Sequence, residues 1–206
     1  MGIDNHLFEA IASDIKCASI LCLGFPDIVA NNLPYKPTKF RDRDERHGGG
    51  KMPDTHEFFE MLGAKSVRYI DMAVFEGSED VIDLNYPHEL GEYDLVIDPG
   101  TLEHCFNIGV AFINAASCVK VGGAIAHSNP MNRVNHGFYN LNPGTYHDFY
   151  GQNGFSVDVR FLSNGTMFKL TNNVGRIVPS HPTNLYVKAR RKENRAITFP
   201  TQSKYL

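Results

Sequence analysis

Most residues that could do chemistry in this 206-residue chain stand at or just past the ends of short apolar runs. "SILCLG" delivers Gly24 and Asp27, "SVRYIDM" carries Asp71, "DVIDL" supplies Asp83 with Asn85 close behind, "YDLVID" ends in Asp98, and "GAIAHS" leads to His127, Ser128 and Asn129. If these runs are parallel strands of one sheet, their carboxyl ends share an edge, which is where open α/β sheets bind ligands. An acid closing a second strand is placed to accept hydrogen bonds from ribose hydroxyls, so Asp71 is the binding candidate; a lone aspartate at such a point also serves as a turn or cap residue. Two histidines, His104 and His136, fall on segments expected to face the same edge, and histidine changes charge near neutral pH. They are the candidates for proton transfer. His104 also reads as a contact at a helix N-terminus, where the macrodipole does not favour the cation.

These residues need a scaffold, and the chain alternates apolar runs with helical patterns. That pattern predicts an α/β fold, a doubly wound and mostly parallel sheet in one domain spanning 1–206. Strands are expected at 19–24, 66–72, 80–84, 93–98 and 123–128, each apolar on both sides as a doubly covered strand should be. Helices are expected at 54–64, 101–120 and 143–154, with Asp54 and Glu57 forming a capping box at the start of the first. "VKVGG" and "GQNGF" read as left-handed helix ends leading into strands. After Phe155 the sequence alternates apolar and polar residues over 155–163 and 183–192, which predicts antiparallel strands closing the C-terminal edge. The tail "AITFPTQSKYL" reads as irregular. The segment 25–53, with "RDRDERH" and three consecutive glycines, is too long for an ordinary connection. It is either a solvated face or a lid hinged near Gly48, Gly49 and Gly50.

Composition removes several classes. Twenty basic residues against twenty-three acidic ones give a net charge of −3, which does not favour nucleic acid as a partner. No apolar run approaches the ~20 residues a membrane span needs, and the N-terminus lacks the pattern of a secretory signal, so a cytoplasmic protein is expected. Cys17, Cys22, Cys105 and Cys118 lack paired spacing and read as reduced, packed thiols. Neither His56 nor His88 has a second histidine at the spacing of a zinc protease, so no metal is expected. There is no G-x-S-x-G turn, no phosphate-cradling loop, and no G-x-G-x-x-G turn for a nicotinamide cofactor. Oligomeric state is left open.

"YDLVIDPGTLEHCFN" followed by "CVKVGGAIAHSNP" resembles the class I S-adenosylmethionine-dependent methyltransferases, in which an acidic fourth-strand end, an "LEH" helix start and a Gly-Gly turn recur. "NHGFYNLNPGTYHDFYGQNGF" and "DMAVFEGSEDVIDLNYP" resemble a divergent group of that superfamily that opens with a Leu-Gly-x-x-Asp turn. The resemblance covers about 19–155. It implies S-adenosylmethionine as cofactor, with Gly24 as the first glycine of its loop, Asp71 at the ribose, Asp83 beside the adenine and Asp98 near the methionine moiety. Cys22 stands where an acid is common, and Phe25, Pro26, Asp27 and Ile28 replace the remaining Gly-rich turn, with Asp27 able to take over the ammonium contact. Methyl transfer to a hydroxyl needs a base, for which His136 and His104 are the candidates. The expected function is methylation of a small molecule or sugar precursor, at oxygen. The lost glycines support an alternative, a catalytically silent protein of the same fold that binds a ligand or partner.

Overall fold

The computed structural model describes residues 2–43, 45, 48–74, 79–171 and 178–206. Twelve strands and four α-helices follow one another in the order β1 (Gly2–Ile3), α1 (Asn5–Ile15), β2 (Ser19–Leu23), β3 (Asp27–Ile28), β4 (Phe40–Asp42), β5 (Lys51–Pro53), α2 (Thr55–Met61), β6 (Ser66–Asp71), β7 (Glu79–Val81), β8 (Tyr93–Asp98), α3 (Ile108–Ser117), β9 (Val119–Pro130), α4 (Pro143–Gln152), β10 (Phe155–Ser163), β11 (Thr166–Leu170) and β12 (Asn184–Arg191) among the described residues. Eight strands form the main sheet in the order β11-β10-β12-β9-β8-β2-β6-β7. From β9 to β7 the pairing is parallel; β12 runs against β9, and β10 and β11 continue antiparallel to the edge. The strand order reverses between β2 and β8, so a crevice opens beyond their carboxyl ends.

The central strands read as unbroken apolar runs because both faces of the sheet are covered. Successive side chains of a strand point to opposite faces. Leu21 and Leu23 of β2 join Val96 of β8 in a core with Phe112 of α3 and Tyr146 and Tyr150 of α4. Ile20 and Cys22, with Leu95 and Ile97, pack on the other face against Ile11 of α1 and Phe58 of α2.

Several elements differ from expectation for local reasons. The helix expected over 101–120 begins only at Ile108, after a 3-10 turn at Leu102–His104. Asp98 Oδ1 captures the amides of Thr101 and Leu102 at 2.7 and 3.3 Å, and Asn85 Oδ1 captures that of Asn107 at 2.8 Å. The fifth central strand starts at Val119 and contains "VKVGG", whose glycines fall at an irregularity in register with β8 instead of ending a helix. The third strand is shorter than 80–84, and Asp83 lies beyond it. Asp54 caps α2, accepting from the Glu57 amide at 2.8 Å, but the Glu57 carboxylate turns away to the amides of Thr38 and Lys39, so only half of the capping box forms. Helix α1 was not expected, although Asp4 caps it and Leu7, Phe8, Ile11 and Ile15 are its buried stripe.

The 25–53 segment is tied to the body by the pairing of β3 with β1 and folds on itself in the β4–β5 hairpin. Asp44, Arg46 and His47 of the charged run, and 75–78 of "DMAVFEGSED", lie outside the described residues. Cys22, Cys105 and Cys118 are buried, Cys17 is exposed, and all four are free thiols. No helix among the described residues is long and apolar enough to cross a membrane.

Candidate active site

A cavity of about 740 Å³ opens at the carboxyl ends of the central strands. Such a volume is ordinary for a small-molecule or cofactor site. Asp71, at the end of β6, lines it from one side of the strand-order reversal, and Gly100, Thr101, Glu103 and His104 line it from the turn after β8 on the other. His136 and Phe138 contribute from the loop after β9, and Val29 and Arg43 from the 25–53 segment.

Asp71 is a partly satisfied acid. Its Oδ1 accepts the Met72 amide at 2.7 Å, while its Oδ2 is buried with no hydrogen-bond partner among the described residues. Burial pushes its pKa upward, partly offset by the amides of Met72 and Ala73.

The second group is centred on Glu103, whose side chain is 1% exposed and whose Oε1 lies 3.6 Å from His136 Nε2 and 4.0 Å from His104 Nε2. The imidazole rings of His104 and His136 stand 5.3 Å apart. Gly137 makes this approach possible: a Cβ there would sit 2.9 Å from the Glu103 carbonyl oxygen and 3.2 Å from His104 Nδ1. Burial, reinforced by Asp98, pushes Glu103 up to about 7. Burial lowers both histidines, with His136 adding to the effect on His104 and Arg133 to that on His136.

Behind Glu103 lies a fully buried polar chain. Asn129 donates to Glu103 Oε2 at 2.8 Å and to Asp98 Oδ2 at 2.9 Å, and its Oδ1 accepts from the Tyr146 hydroxyl at 2.5 Å. His127 bridges Asp98 Oδ2 at 2.8 Å and the Tyr150 hydroxyl at 2.6 Å. Burial opposes charge on Asp98, but the His127 contact and the Thr101 amide outweigh it and hold the pKa below the usual carboxylate range.

Of the residues singled out from sequence, Asp71, His104 and His136 line the cavity and Gly24, Asp27, Asp83 and Asp98 do not. Gly24 adopts a left-handed φ of 93° and donates to the Ile70 carbonyl at 2.6 Å. Asp27 is 3% exposed, with one oxygen 2.6 Å from Arg41 Nη2 and the other 2.8 Å from Arg43 Nε. Asp83 folds back onto Asn85, accepting its amide at 2.9 Å, and it is Asn85 that faces the cavity. Asp98 turns inward to the network just described. Glu103 was not among the expected site residues. Its only signal was a carboxylate placed directly after the fourth-strand turn, and nothing in the spacing ties it to His136.

No protein-family model matches the chain, and no curated protein matches it in sequence. Solved structures do match in fold. TehB from Haemophilus influenzae superposes with a TM-score of 0.57 at 13% identity over 92% of this chain, which spans only 63% of TehB. The 1,6-didemethyltoxoflavin-N1-methyltransferase of Burkholderia thailandensis, solved with 1,6-didemethyltoxoflavin and S-adenosylhomocysteine bound, gives 0.52 at 12% identity over 91% of this chain and 79% of its own. The N-methyltransferase NodS of Bradyrhizobium japonicum gives 0.50 at 11% identity over 90% and 93%. The chain therefore has the Rossmann-like fold of the S-adenosylmethionine-dependent methyltransferases, closed at its C-terminal edge by antiparallel strands.

Proposed function

We propose that this protein is an S-adenosylmethionine-dependent methyltransferase that acts on a small molecule or sugar precursor, with a hydroxyl as acceptor. The observation that carries the reading is the cavity at the strand-order reversal, which brings a second-strand acid and a carboxylate–imidazole group onto one surface. The residues fit the cofactor. A buried carboxylate oxygen without a partner, Asp71 Oδ2, is the acceptor a ribose hydroxyl needs. Gly100, at a φ of 102°, borders the cavity where a Cβ would come within 3.2 Å of Glu103 Oε1. The other expected contacts act through neighbours that line the cavity: Asp27 through Arg43, Asp83 through Asn85, and Asp98 through Thr101, while Gly24 shapes the turn.

When bound, the cofactor supplies an electrophilic methyl group on a sulfonium. The chain's task is to hold the acceptor hydroxyl in line and to remove its proton. His136 takes that proton on its imidazole, Glu103 Oε1 at 3.6 Å stabilises the cation formed, and His104 flanks the pair. The clamped first loop favours one other reading, a catalytically silent ligand-binding protein.

Calorimetry with S-adenosylmethionine and S-adenosylhomocysteine tests the first reading. Binding is expected, and Asp71→Ala should weaken it about tenfold or more, the loss of one or two hydrogen bonds to a charged group. No heat at near-millimolar cofactor removes the methyltransferase reading. Cofactor binding without methyl transfer to any of a panel of hydroxylated small molecules favours the silent one.

A further inference from the structure

We infer that Glu103, His104 and His136 form a binding site for a divalent transition-metal ion of the zinc type. One ligand atom from each of the three lies within 4.8 Å of the others. Three points no more than 4.8 Å apart share a centre at most 4.8/√3, about 2.8 Å, from each. Zinc bonds to nitrogen and carboxylate oxygen measure about 2.0–2.2 Å, so an inward adjustment of less than about 1 Å closes the site.

The carboxylate and the two imidazoles surround a common gap without hydrogen-bonding directly to one another. The separations of 3.6 and 4.0 Å between Glu103 Oε1 and the two imidazoles exceed hydrogen-bond reach. The Glu103 side chain is 1% exposed, and Asn129 donates to its Oε2 at 2.8 Å. With Oε2 fixed in this way, Oε1 is aimed at the imidazoles by a buried, hydrogen-bonded support. A metal-ligating carboxylate is ordinarily held by such an outer hydrogen bond. The gap between the carboxylate oxygen and the two nitrogens is what a cation bridges.

The donor set selects the ion. Two imidazoles and one carboxylate suit zinc, iron(II) or nickel in preference to magnesium or calcium, which take oxygen ligands. Three protein ligands leave a coordination position open, and all three residues line the cavity. In the methyltransferase reading, on which this use of the ion rests, the open position holds the acceptor oxygen and eases loss of its proton to water. His136 is then a ligand instead of the base. An acceptor with neighbouring oxygens, able to chelate, is the substrate class this site favours.

Metal binding is testable without cofactor. Metal-free protein is titrated with Zn²⁺ by calorimetry and with Co²⁺ by visible absorption, whose ligand-field bands report coordination. One equivalent is expected, and His104→Ala and His136→Ala should each weaken binding at least tenfold and flatten the cobalt bands. Both imidazoles are 46% exposed, so these variants should fold, as circular dichroism checks. Glu103→Gln, which keeps the shape, is the third arm. No binding at millimolar metal, or equal affinity in wild type and both histidine variants, overturns the inference. If metal fails to bind while S-adenosylmethionine still binds, only this inference falls; the reverse result removes the methyltransferase reading and leaves the metal site standing.

Discussion

Replacing Asp27 by alanine distinguishes a structural clamp from a cofactor ligand at the turn after β2. Asp27 holds Arg41 and Arg43 at 2.6 and 2.8 Å, and the side chains of Asp27 and Arg41 are only 4% and 10% exposed. Arg41 also lies over the Phe25 ring at 5.0 Å, and the Pro26 carbonyl accepts from the Thr55 hydroxyl at 2.8 Å. The whole Phe-Pro-Asp turn is therefore held by the segment that follows it. Removing one member of a buried ion pair destabilises by about 3–5 kcal/mol. Arg43 is 29% exposed and can turn to water, which places the expected loss near the lower end, about 3 kcal/mol. With a urea slope of about 1–3 kcal/mol/M, the unfolding midpoint should fall by roughly 1–3 M. Asp27→Asn should lose less, since its amide still accepts one hydrogen bond. If Asp27→Ala unfolds within about 0.5 kcal/mol of wild type while losing affinity for S-adenosylmethionine, the clamp argument is wrong and Asp27 meets the ligand directly.

Gly137→Ala should lower the melting temperature, because overpacking a tight contact costs about 1–3 kcal/mol and the new Cβ would lie 2.9 Å from the Glu103 carbonyl oxygen; an unchanged melt would show that the 131–142 loop moves freely away from Glu103. Asp94, hydrogen-bonded to Ser19 and then to Lys120, is held at about 2, below its ordinary 3.8, so its contribution is present above about pH 4 and is lost as pH falls towards 2. Accordingly the difference in urea midpoint between wild type and Asp94→Asn should be largest near neutrality and shrink in acid, and a difference independent of pH would refute the assignment.

The strands that were legible in the sequence are those covered on both faces or alternating cleanly. β2, β6 and β8 coincide with the apolar runs to within a residue, and β10 and β12 with the alternating ones. What escaped was decided by contacts distant in sequence. The helix expected at Thr101 begins only at Ile108, after Asn85, twenty-two residues earlier, has taken the Asn107 amide, and no local propensity shows that. The same limit applied to the site. A strand end fixes where an aspartate lies along the sheet edge, but not whether its carboxylate turns outward as Asp71 does or inward as Asp98 does. Glu103 escaped for a related reason: its partners His136 and Asn129 come from other segments, and Gly137 signals their close approach only once the fold is known.

The long aromatic stretch after β9 gains a physical role from two matching periods. Tyr146 and Tyr150 stand one helical turn apart on α4, and His127 and Asn129 stand two apart on β9, so both pairs face one another across the core. Each tyrosine hydroxyl meets one of the strand residues, Tyr150 with His127 and Tyr146 with Asn129. Asp98 then joins the two strand residues, and the second amide proton of Asn129 goes to Glu103. Every donor and acceptor of the Asn129 amide is thereby used but one acceptor lone pair, which fixes its orientation and with it the Glu103 carboxylate. With the first loop held by the contacts of Asp27 to Arg41 and Arg43, the rigid reference for the cavity is the buried network across the strand-order reversal. It lies with the β8 turn, β9 and α4, and the chemistry of this protein is to be sought there.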